Sequence, residues 1–355
     1  MKFLKDSVLI VALLLALFAI APLLTHAGLP NTADGPAHLM RQVELNEAWQ
    51  AGILYPRWAP DLALGHGMPL FNYAPPLLYH TTQLLHLSAL PLDAAMKGSV
   101  ILAMLLYSAG MYLFARDLFG PKAALLAAAV YLYAPYRLRE AFIQGNYGQF
   151  WGLAFYPLIL WAFHKLILTN RRRDILPAAL ALAGLILSHN ISSMLFAPLF
   201  GAYLIFDLQF TISNLQWKGT IVNRKSQIVN RLAGSPLPKI LLAIGLGLGV
   251  SAFFWLPAFG EKDLIRLSGI TSGFFDFRHN FISLRELLAF PRPLDLSAIN
   301  PYYPLSLGAA QWMLALLSLL LTAILMPAKK IQGNFFIRQA VFWGAVFFFY
   351  AFMTL

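Results

Sequence analysis

Long, unbroken apolar runs dominate this chain, in place of the alternating or helically spaced apolar positions of a water-soluble fold. A run of about 17–25 residues is long enough to cross a bilayer. Such runs occupy 8–24, 98–115, 121–136, 150–167, 175–207, 239–258, 303–326 and 338–355, with most of the charge between them. The stretch 175–207 is long enough for two passes if it breaks near His189, which brings the expectation to about nine membrane helices. Backbone groups in lipid must be satisfied within the protein, and continuous rather than alternating apolar positions favour helices over a barrel. The pattern therefore predicts an all-α, polytopic transmembrane helical bundle forming a single membrane domain over 1–355. The segment 70–90 is also apolar, but Pro69, Pro75, Pro76 and Pro91 interrupt or bound it, so it reads as interfacial or re-entrant. The first run exceeds the usual length of a signal-peptide core and is read as an uncleaved helix. The last stops inside an apolar segment, as in the N-terminal part of a longer protein.

Composition agrees with this picture: 59% of residues are hydrophobic, 12% are charged, and mean hydropathy is +0.66. Basic clusters at Lys2 and Lys5, Arg116 and Lys122, Lys165 to Arg173, Lys218 to Lys239, and Lys329 to Arg338 all fall on one side if 70–90 does not cross. By the positive-inside rule that side is cytoplasmic. The N-terminus is then inside, 208–238 is a cytoplasmic loop, and 25–97, 137–149 and 259–302 are outer loops. The formal charge of +11 is thus mostly topogenic charge lying against anionic lipid, and no nucleic-acid partner is expected. With no cysteine, disulfides and thiolate chemistry are excluded. The cytoplasmic repeat Ile221-Val222-Asn223-Arg224 and Ile228-Val229-Asn230-Arg231 reads as a tolerated surface insertion.

Candidate chemistry concentrates in the outer loops. Asp34 stands four residues before His38; if a helix starts there, both side chains face one space, although Asp34 is equally well placed as a helix N-cap with Pro36 just inside. Glu140, Asn146 and Gln149 form a carboxylate and amide group that either orients a sugar, completes a cation shell or belongs to an ordinary polar turn. His189 and Asn190 interrupt an apolar run, marking a cavity wall or a tight turn between helices. Arg57, Asp61 and His66 add polar groups to the first loop, and Arg278, His279, Arg285, Glu286 and Arg292 to the third. There is no P-loop, HExxH, GxSxG or Rossmann glycine set. Carboxylates are also read as missing from the membrane segments, which weakens an ion-coupled transporter reading.

The stretches Asp34-Gly35-Pro36-Ala37-His38, Leu54-Tyr55-Pro56-Arg57-Trp58, Gly65 to Tyr73 and Ser188-His189-Asn190, in this order around the first helix and outer loops, carry a resemblance. The chain resembles the GT-C superfamily of membrane glycosyltransferases, and most closely the bacterial and archaeal membrane proteins labelled with a 6-pyruvoyl-tetrahydropterin synthase-related domain. That label is not read as pterin chemistry. The resemblance implies a GT-C-like fold in a prokaryotic plasma membrane, a polyprenyl-phosphate sugar donor and an unknown acceptor meeting on the outer face. It makes Asp34 a general base or a ligand of a divalent metal such as Mg²⁺ or Mn²⁺, with His38 beside it. Arg57, His66, Glu140, Asn146, Gln149, His189 and Asn190 are then candidate substrate-binding residues. Gly145-Asn146-Tyr147 stands where that plan leads one to expect a carboxylate pair.

Overall fold

The computed structural model describes residues 6–217, 235–266, 272–273, 276–290, 305–325 and 334–354. The repeat at 221–231 and Arg292 lie outside the described residues. Among those described, regular structure is helical apart from one isolated antiparallel bridge between Ala59 and Met68. The chain forms two compact units, one of residues 1–132 and 140–261, the other of 133–139 and 262–355.

In the first unit, α1 (Ser7–Thr25) opens at Asp6, whose Oδ1 accepts from the backbone N–H of Val8 and Leu9. The same carboxylate accepts from the Tyr112 hydroxyl and Arg116, so one acid caps α1 and ties it to α5 (Leu92–Phe119). Between them, α2 (Gly35–Gln50), α3 (Leu70–Tyr73) and α4 (Leu77–His86) build the long first loop. At ten residues α4 spans about 15 Å, too short to cross, in keeping with the interfacial reading of 70–90. Then come α6 (Pro121–Leu132), a π-helical turn at Glu140–Gln144, α8 (Tyr147–Thr169), α9 (Ile175–Ile186), α10 (Asn190–Trp217), α11 (Leu237–Val250) and α12 (Ala252–Gly260). The other unit holds α7 (Pro135–Arg139), α13 (Leu284–Leu287), α14 (Ala309–Leu325) and α15 (Asn334–Thr354). In it Asp276 holds Arg278 at 2.6 Å, so that cation of the third loop already has a carboxylate partner.

Five described helices are long and apolar enough to cross a membrane: α1, α5, α8, α10 over Asn190–Gln209, and α15 over Phe335–Thr354. A sixth span results if α11 and α12, bent by 69°, count as one. The apolar run 239–258 read as continuous, yet the helix breaks at Ser251, whose hydroxyl bonds back to Gly247 O at 2.9 Å and which begins α12. The predicted break at His189 is present, but α9 has only twelve residues, as does α6. The spans α5 and α8 are largely buried, whereas α1 and α10 keep most of their surface outward. Hydroxyls and an indole join the spans, for lipid offers these donors no other acceptors. Tyr107 donates to Phe150 O (2.6 Å), Ser108 to Ala12 O (2.7 Å), and Trp151 Nε1 to Ser99 Oγ (3.0 Å).

One sequence reading is corrected. A carboxylate does lie within a membrane segment: Asp207 falls inside the apolar window of α10, buried against His164 of α8 at 2.8 Å. Asp207 is the last residue of the apolar run 175–207, where one charge barely lowers the mean hydropathy of the stretch.

Candidate functional site

The start of α2 shows why Asp34 is not a conventional cap. Asp34 occupies the N-cap position, but its side chain makes no capping bond. Thr32 Oγ1 accepts from Gly35 N at 3.1 Å instead, satisfying a donor the helix would otherwise leave orphaned. The Asp34 carboxylate is thereby released and is held from outside by Gln144, whose Nε2 donates to Oδ2 at 3.0 Å. The backbones run alongside: Asp34 N donates to Gln144 O (2.7 Å) and Ala33 N to Ile143 O (3.0 Å). This close approach requires Gly145, which has φ +73° and whose absent Cβ would collide with Thr32 and reach within 2.9 Å of Gly35 N. Gly145→Ala is expected to push the 32–35 segment away, costing about 1–3 kcal/mol of stability. Thermal denaturation checks this, and an unchanged melting temperature would show that the approach is loose.

On the next turns of the same helix face stand His38 and Arg41. His38 is buried, 7% exposed, with Nδ1 2.8 Å from the Tyr79 hydroxyl of α4. Arg41 Nη1 donates to the same hydroxyl at 3.3 Å. Burial raises the Tyr79 phenol above its ordinary pKa, so it keeps its proton and can donate it to His38 Nδ1. Burial first, then the Arg41 charge and His189, lowers His38 to about 3. His189 follows the end of α9, and its Nδ1 accepts from Ser192 N at 3.2 Å, capping α10; burial brings it down to about 4. The turn reading and the wall reading of His189 therefore both hold, and both imidazoles are neutral at physiological pH.

Asp34, His38, Asn146, His189 and Asn190 line one cavity of about 340 Å³, together with Arg41, Tyr79 and Ser188. Asn146 is also the N-cap of α8, its Oδ1 accepting from Gln149 N at 3.2 Å, and Asn190 Nδ2 donates to Tyr73 O at 3.2 Å. Gln149 meets Asn146 but is not part of the lining, nor is Glu140, which is buried in the π-helical turn. Arg57 lies elsewhere: its guanidinium pairs with Glu261 after α12 and donates to Asn72 Oδ1 at 2.9 Å. His66 is exposed on the loop and does not join the cavity. Sequence reasoning missed Arg41, Tyr79 and Gln144. Arg41 was within reach, for positions 34, 38 and 41 recur at the spacing of a single helix face.

Asp34 is the sole carboxylate among the lining residues, and no three His, Cys, Asp or Glu side chains converge on a metal site among the described residues. A single carboxylate would leave a divalent ion short of charged ligands, and it suits Mg²⁺ where phosphate oxygens from a substrate complete the shell.

A family model described as 6-pyruvoyl-tetrahydropterin synthase related domain, a membrane protein, matches residues 71–355. The chain belongs to that family. The match takes in the cavity's α4, α8 and α10 walls, with Tyr79, Asn146, His189 and Asn190, while Asp34, His38 and Arg41 stand ahead of it. This member of the related-domain family is accordingly a membrane protein whose polar cavity is built where helix ends meet the first long loop. No curated protein gives a significant match to the chain.

Two neutral histidines make the fold acid-sensitive. Each has a folded pKa below its unfolded value near 6.5, so above that pH neither affects stability, and below it the unfolded chain takes up protons that the folded one refuses. The loss is about 1.4 kcal/mol per pH unit per group until the folded pKa is reached. His38→Gln is expected to flatten the fall in melting temperature between pH 6.5 and 4.5, and an unchanged slope would show that His38 is not buried neutral.

Proposed function

We propose that the protein is a GT-C-like membrane glycosyltransferase, with about nine membrane helices in the full bundle, that moves a sugar from a polyprenyl-phosphate donor to an acceptor hydroxyl on the non-cytoplasmic face of a prokaryotic plasma membrane. The observation carrying this reading is the Asp34 carboxylate, freed from capping, in a cavity it shares with the Arg41 guanidinium. In the reaction the acceptor hydroxyl gives its proton to Asp34 while its oxygen bonds to the anomeric carbon. The anomeric carbon–oxygen bond to phosphate breaks, and its electron pair leaves with the polyprenyl phosphate, whose charge faces Arg41. Neutral His38 and His189 with Asn146 and Asn190 supply donors and acceptors for sugar hydroxyls. In this proposal Arg57 supports the loop through Glu261, while His66, Glu140 and Gln149 remain outside the lining.

The divalent ion implied by the resemblance enters only as a ligand shared by Asp34 and the donor phosphate. The test is transfer of labelled sugar by the full-length protein in lipid, with and without a chelator. Transfer that survives chelation leaves Asp34 as base; transfer restored by Mg²⁺ or Mn²⁺ makes it a metal ligand. A second reading rests on the same lone carboxylate: a non-enzymatic protein that binds or moves a lipid-linked glycan. Donor binding with no turnover across a panel of acceptors selects it.

A further inference from the structure

The loop between α2 and α3 carries a feature that the cavity does not use. Ala59 N donates to Met68 O (2.9 Å) and Met68 N to Ala59 O (3.0 Å), closing residues 59–68 into a ring. Inside it, Ala63, Leu64 and Gly65 adopt φ of 54°, 61° and 81°, three successive left-handed residues of which two carry a Cβ. L-residues resist that conformation sterically, and it persists only where the surroundings impose it. Here the bracing is visible: Gly65 N donates to Asp61 O (3.3 Å), Gly67 N to Leu62 O (2.9 Å), and the Trp58 indole lies on Gly67 too closely for any Cβ. The product of this strained frame is a leucine, Leu64, that is 99% exposed. A scattered surface leucine needs no explanation; one held out on a braced turn, in a loop that also exposes Ile53, Leu54 and Trp58, does.

The loop's attachments show what it faces. Arg57 and Asn72 both bind Glu261, and Tyr73 donates to Glu261 O (2.8 Å), directly after α12. Tyr55 packs edge-on against Phe253 of that helix, whose Leu256 and Phe259 point outward. Leu77 N donates to Leu187 O at 2.8 Å, and Asn190 reaches Tyr73 O, tying the following residues to the start of α10. Both flanks of the loop are thus anchored at the ends of apolar helices, α12 and α10, and the ends of membrane helices are where Trp and apolar residues meet lipid headgroups. We propose that residues 53–68 form a membrane-docking finger that buries Leu64, together with the exposed Trp58 and Leu54 of the same loop, in the headgroup–acyl boundary of the bilayer and so holds α2 and its cavity against the lipid surface.

The absence of cysteine from the chain makes the test direct. Full-length Leu64→Cys and Asp61→Cys proteins, spin-labelled in phosphatidylcholine–phosphatidylglycerol nanodiscs, are compared for collision with oxygen and with a water-soluble nickel chelate. The label at 64 is expected to be several-fold less accessible to nickel and more accessible to oxygen than that at 61. Equal nickel access at both positions overturns the finger, and would be the result if Leu64 instead awaited a protein partner. Should Leu64→Cys fail to fold, Ala63→Cys on the same turn carries the comparison. Sugar transfer plays no part in this readout, so the finger and the proposed activity can fail independently.

Discussion

Asp34→Asn is expected to lower sugar transfer by a factor of about 10²–10⁴ while donor binding survives. Asparagine has nearly the shape of aspartate, and its side-chain oxygen can still accept from Gln144 Nε2, which holds Oδ2 at 3.0 Å. What it cannot do is take a proton from an acceptor hydroxyl. The helix start should tolerate the change as well, for Thr32 and not Asp34 satisfies Gly35 N. The loss should therefore appear in kcat, with little change in KM for the donor or in melting temperature. Turnover within twofold of the parent would remove Asp34 from the reaction and leave it as a neighbour of the cavity. A fall in melting temperature matching the fall in rate would instead make it structural.

The membrane helices were legible because lipid writes a simple rule into sequence: an apolar run long enough to cross. That rule locates α1 and α8 within a few residues at each end. It fails at Ser251, where a single hydroxyl after Gly247 and Gly249 breaks α11 from α12 without lowering the local hydropathy enough to show. It also cannot separate a full span from the twelve-residue helices α6 and α9. In the cavity, Asp34 and His38 were legible because both lie on one helix, where spacing alone decides which residues meet. Tyr79 and Gln144 were not, since their contacts with His38 and Asp34 join residues 41 and 110 positions apart. Arg57 shows the converse limit. A cation in a loop invites a ligand, but its carboxylate partner, Glu261, lies 204 residues along the chain.

His164 and Asp207 carry the second large prediction, this time in stability. They meet at 2.8 Å between α8 and α10, with side chains only 6% and 2% exposed. Neither side chain has water to fall back on at that depth, so each is tolerable only while the other is present. Asp207→Leu or His164→Leu alone is expected to cost about 3–5 kcal/mol, seen as a large drop in melting temperature in nanodiscs. Part of that cost is relieved if the denatured helices find other partners within the membrane, which places the lower figure nearer for a bilayer than for detergent. The double Leu variant should recover most of the loss, because it removes both polar groups and leaves apolar surface where two spans already pack. If the two single losses simply add, the pair is not coupled and the contact is incidental. Recovery would mean that the pair does little for net stability and is better explained by what it fixes. It holds α8 and α10 in one register, and the opposite ends of those helices carry Asn146 and His189 in the cavity wall. A register that slips without the pair would then be read in the double variant as unchanged melting with weakened donor binding.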